Sequence, residues 1–399
     1  MLIYVAPVDI SLGNGPGVNE REFVHALARR FGDRARVLLP RPRDPAVLAG
    51  LPNVQLYERA GSPLLGWLSQ WRMYRLLRRE IRRQKPQAVI MRIGQLQFGL
   101  AAFARRAGVP IVMKTQGDPS IDYLCRKPGL KGWVARRLRP FNLRVAGTIA
   151  QHALAIDCCT PQLVRRNLSW LPGLPADKVF VVDNATNVES FQPGDRFAAR
   201  ARLGLPRDAH IFGYVGGVPW ERGGMRIVRA VAALRGRFPD ILGVVVGGAG
   251  EGLERMRALA RELGVEDRCR IVGHVPYDDV PLWVRSFDVG VAMDLPERGD
   301  VVGSSNQKIR QYIASGKPVV AAAGINAFIG DEGLGALVDA TDQAGFDRAV
   351  GEYLGWDEAQ RQAFAAKARR YAEEHLSIDA ALAMRLAAWR ARGLELAEA

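Results

Sequence analysis

Short apolar runs alternate with longer amphipathic segments along the whole chain, which is typical of α/β folds with mostly parallel sheets. In the first half the predicted strands are 2–8, 35–40, 53–57, 88–92, 110–114, 153–157 and 179–183. In the second half they are 210–217, 241–248, 269–273, 288–293 and 318–323. Most are continuous Val, Ile and Ala runs, which indicates strands covered by helices on both faces.

The alternation breaks once, between Asn184 and Asp208, where the polar stretch ESFQPGD separates two series of strands. This break predicts two doubly wound domains, 1–185 and 186–375, whose ligand-binding loops follow the carboxyl ends of the strands. The segment 376–399 is rich in helix-forming residues and has no strand after it. We expect this C-terminal helix to pack back on the first domain.

Composition excludes several classes of protein. The 399 residues are 48% apolar and 24% charged, which is the balance of a globular protein. A membrane-spanning helix needs about 18 uncharged apolar residues in a row, and no such run occurs. The opening MLIYVAPV does not resemble an export signal, and four cysteines are too few for a disulfide framework or a zinc site. We therefore expect a reduced, cytoplasmic protein.

Positive charge is concentrated in the first half. Residues 1–190 contain 29 Lys and Arg against 13 Asp and Glu, whereas the rest of the chain contains 27 against 28. This asymmetry points to an anionic partner: nucleic acid, a membrane surface or a phosphate-bearing substrate. Nucleic acid is disfavoured, because no recognised motif or stacking platform of aromatic residues is present.

Two segments in the basic half, 71–85 and 127–144, mix arginines with tryptophan and other apolar residues. Each could be an interfacial helix attracted to anionic lipid. Taken singly, each is better explained as a core-packed helix with a solvated arginine face. Two such segments in one domain favour a protein that sits peripherally on the inner face of the cell membrane.

Glycine-rich loops follow three predicted strands and precede amphipathic segments, a position where backbone amides and the helix dipole favour anions. The first, SLGNGPGVNEREF, contains Gly15 and Gly17. It could also be an ordinary flexible turn. The other two are GGVPWERGG, with Gly216, Gly217 and Arg222, and GGAGEG, with Gly248. Arg222 could bind phosphate oxygens with two of its nitrogens, or it could be a solvated arginine. Two such glycine-rich loops after successive strands rarely arise by chance.

A fourth loop, GSSNQKIRQYIASGKPV, opens with Ser304 and Ser305. Either serine could cap a helix that begins at Asn306 and aims its free amides at the same crevice. Lys308 would add a cation there or be exposed. The chain has no GxxxxGK[ST] phosphate loop and no Asp-x-Asp pair, so we expect neither an ATPase nor a dedicated metal site, and no cofactor.

In this order and spacing, the loops resemble the glycosyltransferases with two Rossmann-like domains, known as the GT-B fold, and within them the retaining family 4 of bacterial surface-polysaccharide type. The similarity is strongest over 179–324. The blocks that carry it are VVDNATNVESFQP, YVGGVPWERGG, VVVGGAGEGLERMRALARELGVEDRCRIVGHVP and SSNQKIRQYIASGKPVVA. The resemblance implies two Rossmann-like domains facing a cleft.

The resemblance implies that the second domain holds a nucleotide-diphosphate-sugar donor. Arg222 matches a lysine that binds the diphosphate, and the helix start at Ser304 and Ser305 would complete that site. The residues that match a loop framing the base are His274, Val275 and Pro276.

In the first domain, the resemblance implies that the glycine loop with Gly15 and Gly17 closes on the donor. Gln116 and Asp118 lie where many relatives carry a His-Asp active-site region. With Arg222 they are the candidate catalytic residues.

The chain departs from the family pattern at charged positions. Gly217 replaces an arginine, and the two family glutamates fall on Gly303 and Gln311. Gln311 can still hydrogen-bond a ribose. Asp294, Glu297 or Asp300 could replace the missing carboxylate, or the three could form a solvated acidic turn.

We therefore expect a retaining, metal-independent transferase acting on a saccharide, lipid-linked or otherwise phosphorylated. The alternative is a non-catalytic GT-B protein that binds a nucleotide-sugar or a partner transferase.

Overall fold

The computed structural model describes residues 1–60, 66–94, 97–106, 108–116, 121–171, 173–217, 223–294, 306–324, 326–394 and 396. Within them the chain divides into two compact units. The first contains the described residues of 1–183 and 381–396, and the second contains those of 184–294 and 306–380. Each unit is built on one parallel sheet.

The sheet of the first unit has seven strands in the order β3-β2-β1-β4-β5-β6-β7, all parallel. Its strands are β1 (Leu2–Val5), β2 (Ala35–Pro40), β3 (Val54–Tyr57), β4 (Ala88–Ile93), β5 (Ile111–Thr115), β6 (Ala155–Cys158) and β7 (Val179–Val181). The strand order reverses between β1 and β4, which makes this a doubly wound sheet. All seven strands were predicted from the apolar runs.

Helices connect these strands. In the first unit they are α1 (Gly15–Phe31), α2 (Gly66–Arg83), α3 (Phe98–Ala104), α4 (Asp122–Cys125), α5 (Gly129–His152) and α6 (Pro161–Trp170). Asn14 is the N-cap residue of helix α1, and its side chain accepts a hydrogen bond from the Gly17 amide. The proline in the first turn has no backbone N–H that would need an acceptor. The core lies where α2, α3, α5 and α6 meet the sheet.

The sheet of the second unit has six parallel strands in the order β10-β9-β8-β11-β12-β13. They are β8 (His210–Val215), β9 (Ile241–Val246), β10 (Cys269–Gly273), β11 (Val289–Ala292), β12 (Val319–Ala322) and β13 (Gly335–Val338). Five were predicted. The edge strand β13 was not, because glycines interrupt the apolar residues around its short sequence GALV.

Helices cover both faces of this second sheet, and each face has its own apolar cluster. The helices are α7 (Arg196–Leu203), α8 (Gly224–Leu234), α9 (Glu251–Glu262), α10 (Val280–Ser286), α11 (Gln307–Ala314), α12 (Phe328–Asp331), α13 (Gln343–Leu354) and α14 (Glu358–Tyr371). A π-helical turn, Ala372–Leu376, follows α14. The chain therefore has the predicted fold class, with two Rossmann-like doubly wound domains.

The last helix, α15 (Ile378–Arg390), lies largely in the first unit, as expected for the C-terminal helix. Its Arg385 forms a buried ion pair with Asp157 on β6, with Nε 2.7 Å from Oδ2. A second nitrogen of Arg385 donates to the carbonyl oxygen of Val182, directly after β7. These bonds fix the helix to the carboxyl ends of two strands.

Candidate functional site

The carboxyl ends of β8, β9 and β10 are joined by backbone hydrogen bonds. The Gly216 amide donates to the Val246 carbonyl at 3.0 Å, and the Gly247 amide donates to the Gly273 carbonyl at 2.5 Å. The loop with Gly216 and Gly217, the loop with Gly248 and the segment that starts at His274 therefore begin side by side. The structure brings together three of the loops that the sequence singled out.

Two glycines make this close approach possible. Gly216 has a φ of +149° and Gly247 one of +102°, a range that L-residues rarely adopt. A Cβ on Gly216 would lie 2.6 Å from the Tyr214 hydroxyl, and one on Gly247 would overlap the Gly216 carbonyl oxygen. A side chain at Gly247 would push the two loops apart, and one at Gly216 would displace Tyr214.

Helix α11 supplies side chains to the same place. Lys308 is buried, and its ammonium lies 5.2 Å from the centre of the Tyr214 ring in a cation–π arrangement. Its Cε atom would be 3.3 Å from a Cβ on Gly216. Tyr312 holds the helix against β8, because its hydroxyl accepts a hydrogen bond from the Val215 amide at 2.9 Å. A cation is thus held against the start of the Gly216 loop.

Gln311, one turn along the same helix, faces the segment after β10. Its amide Nε2 donates to the hydroxyl of Tyr277 at 3.2 Å. Tyr277 follows Pro276, which caps a short 3₁₀ turn, whereas His274 is exposed and Val275 partly buried. The predicted base-framing segment His274–Pro276 is therefore connected to α11 through Tyr277. Tyr277 carries no motif, and sequence reasoning missed it.

The start of α11 differs from the prediction. The helix begins at Gln307 with Asn306 as the N-cap residue, so a serine cap and a helix starting at Asn306 were wrong. The Asn306 side chain makes no capping bond, because its amide instead donates to the carboxylate of the buried Asp294. That bond fixes Asp294 beside the helix start.

Several predicted residues lie outside the described residues. They are Asp118, Arg222, Glu297, Asp300, Gly303, Ser304 and Ser305. Of the three candidate replacements for the missing carboxylate, Asp294 is the one that the structure describes.

The remaining predicted residues lie in the first unit. Gln116 directly follows β5 and is partly buried. Gly15 is the first residue of α1, and the Gly17 amide donates to the Asn14 side chain at 3.0 Å. A Cβ on Gly17 would overlap the Leu12 carbonyl oxygen, so this glycine is required by the turn itself. Their part in donor binding stays a prediction.

Sequence reasoning also missed a buried charged network in the first unit. Glu20 on α1 accepts hydrogen bonds from Arg92 on β4 at 2.6 Å, from Lys114 on β5 at 3.0 Å and from the Tyr4 hydroxyl. Burial alone would raise the pKa of Glu20, but Lys114 and Arg92 hold it below its usual value. Burial lowers the pKa of Lys114. The sequence signal for this network was a charged residue at the end of two apolar strand runs, Arg92 in one and Lys114 in the other.

Two kinds of feature are missing from the described residues. They contain no group of three or more His, Cys, Asp or Glu side chains placed to hold a metal ion. None of the helices found in them is both long and apolar enough to cross a bilayer.

Two family sequence profiles match the chain. Residues 14–185 match the profile described as "Glycosyl transferase 4-like domain", and residues 209–355 match "Glycosyl transferases group 1". Together they cover most of the sequence; the first spans strands β2 to β7 and the second spans β8 to β13.

Among curated proteins, the D-inositol 3-phosphate glycosyltransferase of Salinispora tropica is 36% identical over 211 residues, which is 49% of this chain and 42% of that protein. The chain thus spans less than half the length of this relative.

Solved structures match over nearly the whole chain. Sucrose-phosphate synthase from Thermosynechococcus elongatus aligns with a TM-score of 0.73 and 19% identity, over 99% of both chains. Anabaena Alr3699/HepE in complex with UDP-glucose aligns with a TM-score of 0.70 and 18% identity, over 97% of this chain and 99% of that one. At this identity the structural likeness concerns the fold. With both family profiles matched in order, the chain belongs to the family 4-like glycosyltransferases of the GT-B fold.

Proposed function

We propose that this protein transfers a sugar from a nucleotide-diphosphate-sugar to a saccharide acceptor, with retention and without a metal ion. The observation that carries the proposal is the convergence of three strand-end loops and α11 in the second unit, with Lys308 buried against the Gly216 loop. UDP and UDP-glucose complexes of the Anabaena structural neighbour support a donor of this class.

In the proposed reaction, the bond from the anomeric carbon to the diphosphate breaks and negative charge develops on the leaving phosphate. Backbone amides and cations in a water-poor site stabilise such charge in the transition state. We propose that Lys308 supplies one such cation and that Arg222 supplies a second. The leaving phosphate would take the proton of the acceptor hydroxyl, so retention needs no carboxylate nucleophile from the protein.

Gln311 and the segment His274–Pro276 are proposed to hold the nucleoside. The Gln311 carboxamide has acceptor and donor groups for ribose hydroxyls and is held by Tyr277. Gln116, Asp118, Gly15 and Gly17 are proposed to contribute from the first domain.

The acceptor is proposed to be phosphorylated or lipid-linked, because the excess positive charge lies in residues 1–190. One class of curated relatives is named for D-inositol 3-phosphate, a phosphorylated acceptor. We propose that the protein acts in bacterial polysaccharide or glycolipid synthesis, in the cytoplasm at the inner face of the cell membrane.

A surface of the first unit supports membrane association. Helix α3 packs against both α2 and α5, so these helices lie on the same side of the sheet. Their exposed apolar residues, here named the aromatic–arginine surface, are Trp67, Trp71, Leu130, Trp133, Val134, Leu138 and Phe141. Arg75 lies over the Trp71 ring at 4.5 Å and Arg137 over Trp133 at 5.3 Å. Tryptophan beside arginine suits an interface with anionic lipid.

A non-catalytic nucleotide-sugar-binding protein is the second candidate. It is favoured by Gly303 and Gln311 at the positions of the family glutamates, and by Asp294 being bonded to Asn306. Donor hydrolysis or sugar transfer by the purified protein would exclude it, whereas donor binding without turnover would support it.

The proposed function is tested by measuring thermal stability with nucleoside diphosphates and their sugars, since selective binding raises the Tm. Lys308→Met should weaken binding of the stabilising nucleotide about tenfold or more, because it removes a buried cation beside the diphosphate. Lys367→Met, an exposed lysine of the same unit, is the matched control and should bind normally. Equal affinity of both variants would remove Lys308 from the site.

Arg222 gives a second test. Arg222→Ala is expected to reduce turnover severely, because it removes the proposed second cation at the leaving phosphate. Transfer measured with saturating donor would decide, and near-normal turnover would exclude Arg222 from the mechanism.

A further inference from the structure

A cavity of about 370 Å³ lies in the second unit, away from the loops described above. It is at the amino-terminal edge of the sheet, because its lining includes Asp288, directly before β11, and Pro318, directly before β12. The starts of α7 and α14 and the turn after α11 form its walls. The candidate donor loops follow the opposite, carboxyl ends of the strands.

Cations gather around one carboxylate of this cavity. Asp288 accepts a hydrogen bond from Arg200 at 2.8 Å and lies 3.4 Å from a nitrogen of Arg361 and 3.6 Å from one of Arg196. The Ile211 amide also donates to Asp288, at 2.8 Å. One negative charge is thus shared among three guanidinium groups.

Two further carboxylates face the cavity. Glu358 pairs with Arg196 at 2.7 Å, and Asp195 accepts backbone amides as the N-cap of α7. Both are exposed or at the rim, so they neutralise the inner cations only in part. The inner wall keeps an excess of positive charge.

Lys317 is the third cation of the lining, beside Arg196 and Arg361. Lys317 is partly exposed, and its ammonium group makes no hydrogen bond or ion pair with the described residues. Burial lowers the pKa of Lys317 to about 8; Asp288 opposes this, and the three arginines add to it. Ser315, also in the lining, has a buried hydroxyl without a hydrogen-bond partner in the described part of the chain.

We propose that this cavity binds a small phosphate-bearing anion, held by Lys317 and the guanidinium of Arg361. A phosphate group supplies acceptors for the ammonium and compensates the excess charge. Phe197 and Trp356 also line the cavity and offer apolar contacts to a group attached to the phosphate. This site is separate from the proposed donor site and does not depend on glycosyl transfer.

The test is thermal unfolding of the full chain in inorganic phosphate against chloride at equal ionic strength, near pH 7.5. A saturable, phosphate-specific rise in Tm is expected. Lys317→Met should weaken the affinity for phosphate about tenfold. Lys367→Met, outside the cavity, should retain it. A hexose phosphate in a parallel titration distinguishes free phosphate from a phosphorylated sugar by its relative affinity.

Lys308→Met separates this cavity from the donor loops. A rise in Tm that survives in Lys308→Met and fails in Lys317→Met supports the proposal. A rise in Tm that survives in Lys317→Met overturns the proposal, and so does the lack of any rise in the wild-type chain.

Calorimetry on the unaltered protein gives a result that no variant's folding can affect. Phosphate raises the pKa of an adjacent ammonium group, so binding at pH 8.5 should take up protons at Lys317, seen as heat that depends on the buffer's ionisation enthalpy. Binding without proton uptake would also contradict the proposal.

Discussion

Single glycines determine how closely the loops of the candidate site approach one another. Gly216 and Gly247 combine a left-handed φ with direct contact to neighbouring backbone or to Tyr214. Gly217, directly after Gly216, has open space around it among the described residues and an ordinary φ. Adjacent glycines of one loop therefore have different physical roles, which their sequence does not distinguish.

Gly247→Ala should destabilise the second unit by roughly 2–4 kcal/mol, because the methyl group meets a carbonyl oxygen at a strained φ. Gly217→Ala is the control and should change the free energy of unfolding by less than about 0.5 kcal/mol. Urea denaturation of both variants is the measurement. Similar stabilities would show that the Gly247 loop can relax freely.

Lys317 should make stability depend on pH in the alkaline range. Its pKa is about 8 in the folded protein and 10.5 as the unperturbed value, so the unfolded chain binds the additional proton between these limits. The free energy of unfolding therefore gains a contribution as pH rises from about 8 to 10.5, and loses it as pH falls.

Lys317→Met should flatten that rise relative to wild type in urea denaturation at pH 8 and pH 10. Other titrating groups affect both proteins alike, so the comparison isolates Lys317. Parallel slopes would mean that the lysine is solvated in the folded state.

At the level of elements, three neighbouring strands of the first sheet present charges on the same face. Arg92 on β4 is directly opposite Lys114 on β5, which in turn is opposite Asp157 on β6. Partners in adjacent parallel strands point to the same side. Glu20 from α1 pairs with Arg92 and Lys114, and Arg385 from α15 pairs with Asp157. The network ties both helices to the sheet.

Arg385→Met should lower the free energy of unfolding by roughly 3–5 kcal/mol, because it leaves the Asp157 carboxylate buried without its closest cation. The double variant Asp157→Asn, Arg385→Met removes the unpaired charge and should recover part of that loss. Urea denaturation of both variants measures the difference. If the double variant were the less stable, Asp157 would not need Arg385 for compensation.

The elements were largely predictable, whereas the contacts between them were not. Runs such as ILGVVV predict strands, because their apolar composition alone decides that they are buried. The link from Gln311 to Tyr277 depends on the packing of α11 against the turn after β10, which no local pattern encodes. The cap at Asn306 was mispredicted for the same reason, since its side chain is used by Asp294.

For the whole molecule, the distribution of charge bears on where the protein acts. The sequence located the positive excess in residues 1–190, and the structure adds that tryptophans there are solvent-exposed: Trp71 to 46% and Trp133 to 51%. An exposed tryptophan that stacks with an arginine contributes little to the stability of the fold. We therefore expect the aromatic–arginine surface to matter for location.

The protein should sediment with anionic but not neutral vesicles, and added salt should weaken the binding. The double variant Trp71→Ala, Trp133→Ala should lose most of it, because both indoles would enter the interface. Met384→Ala, also an exposed apolar residue, lies outside this surface and should bind as wild type. Equal binding to both vesicle types, or to neither, would contradict the proposal.

The pairing of Arg385 with Asp157, 228 positions apart, has a consequence for how the protein is made. A ribosome releases the first seven strands long before it synthesises α15. Until then a nascent chain ending near residue 183 holds Asp157 without its cation partner, so the first unit should stay loosely packed and sensitive to protease. We expect the isolated fragment 1–183 to be digested quickly and a separately added peptide 376–399 to protect it.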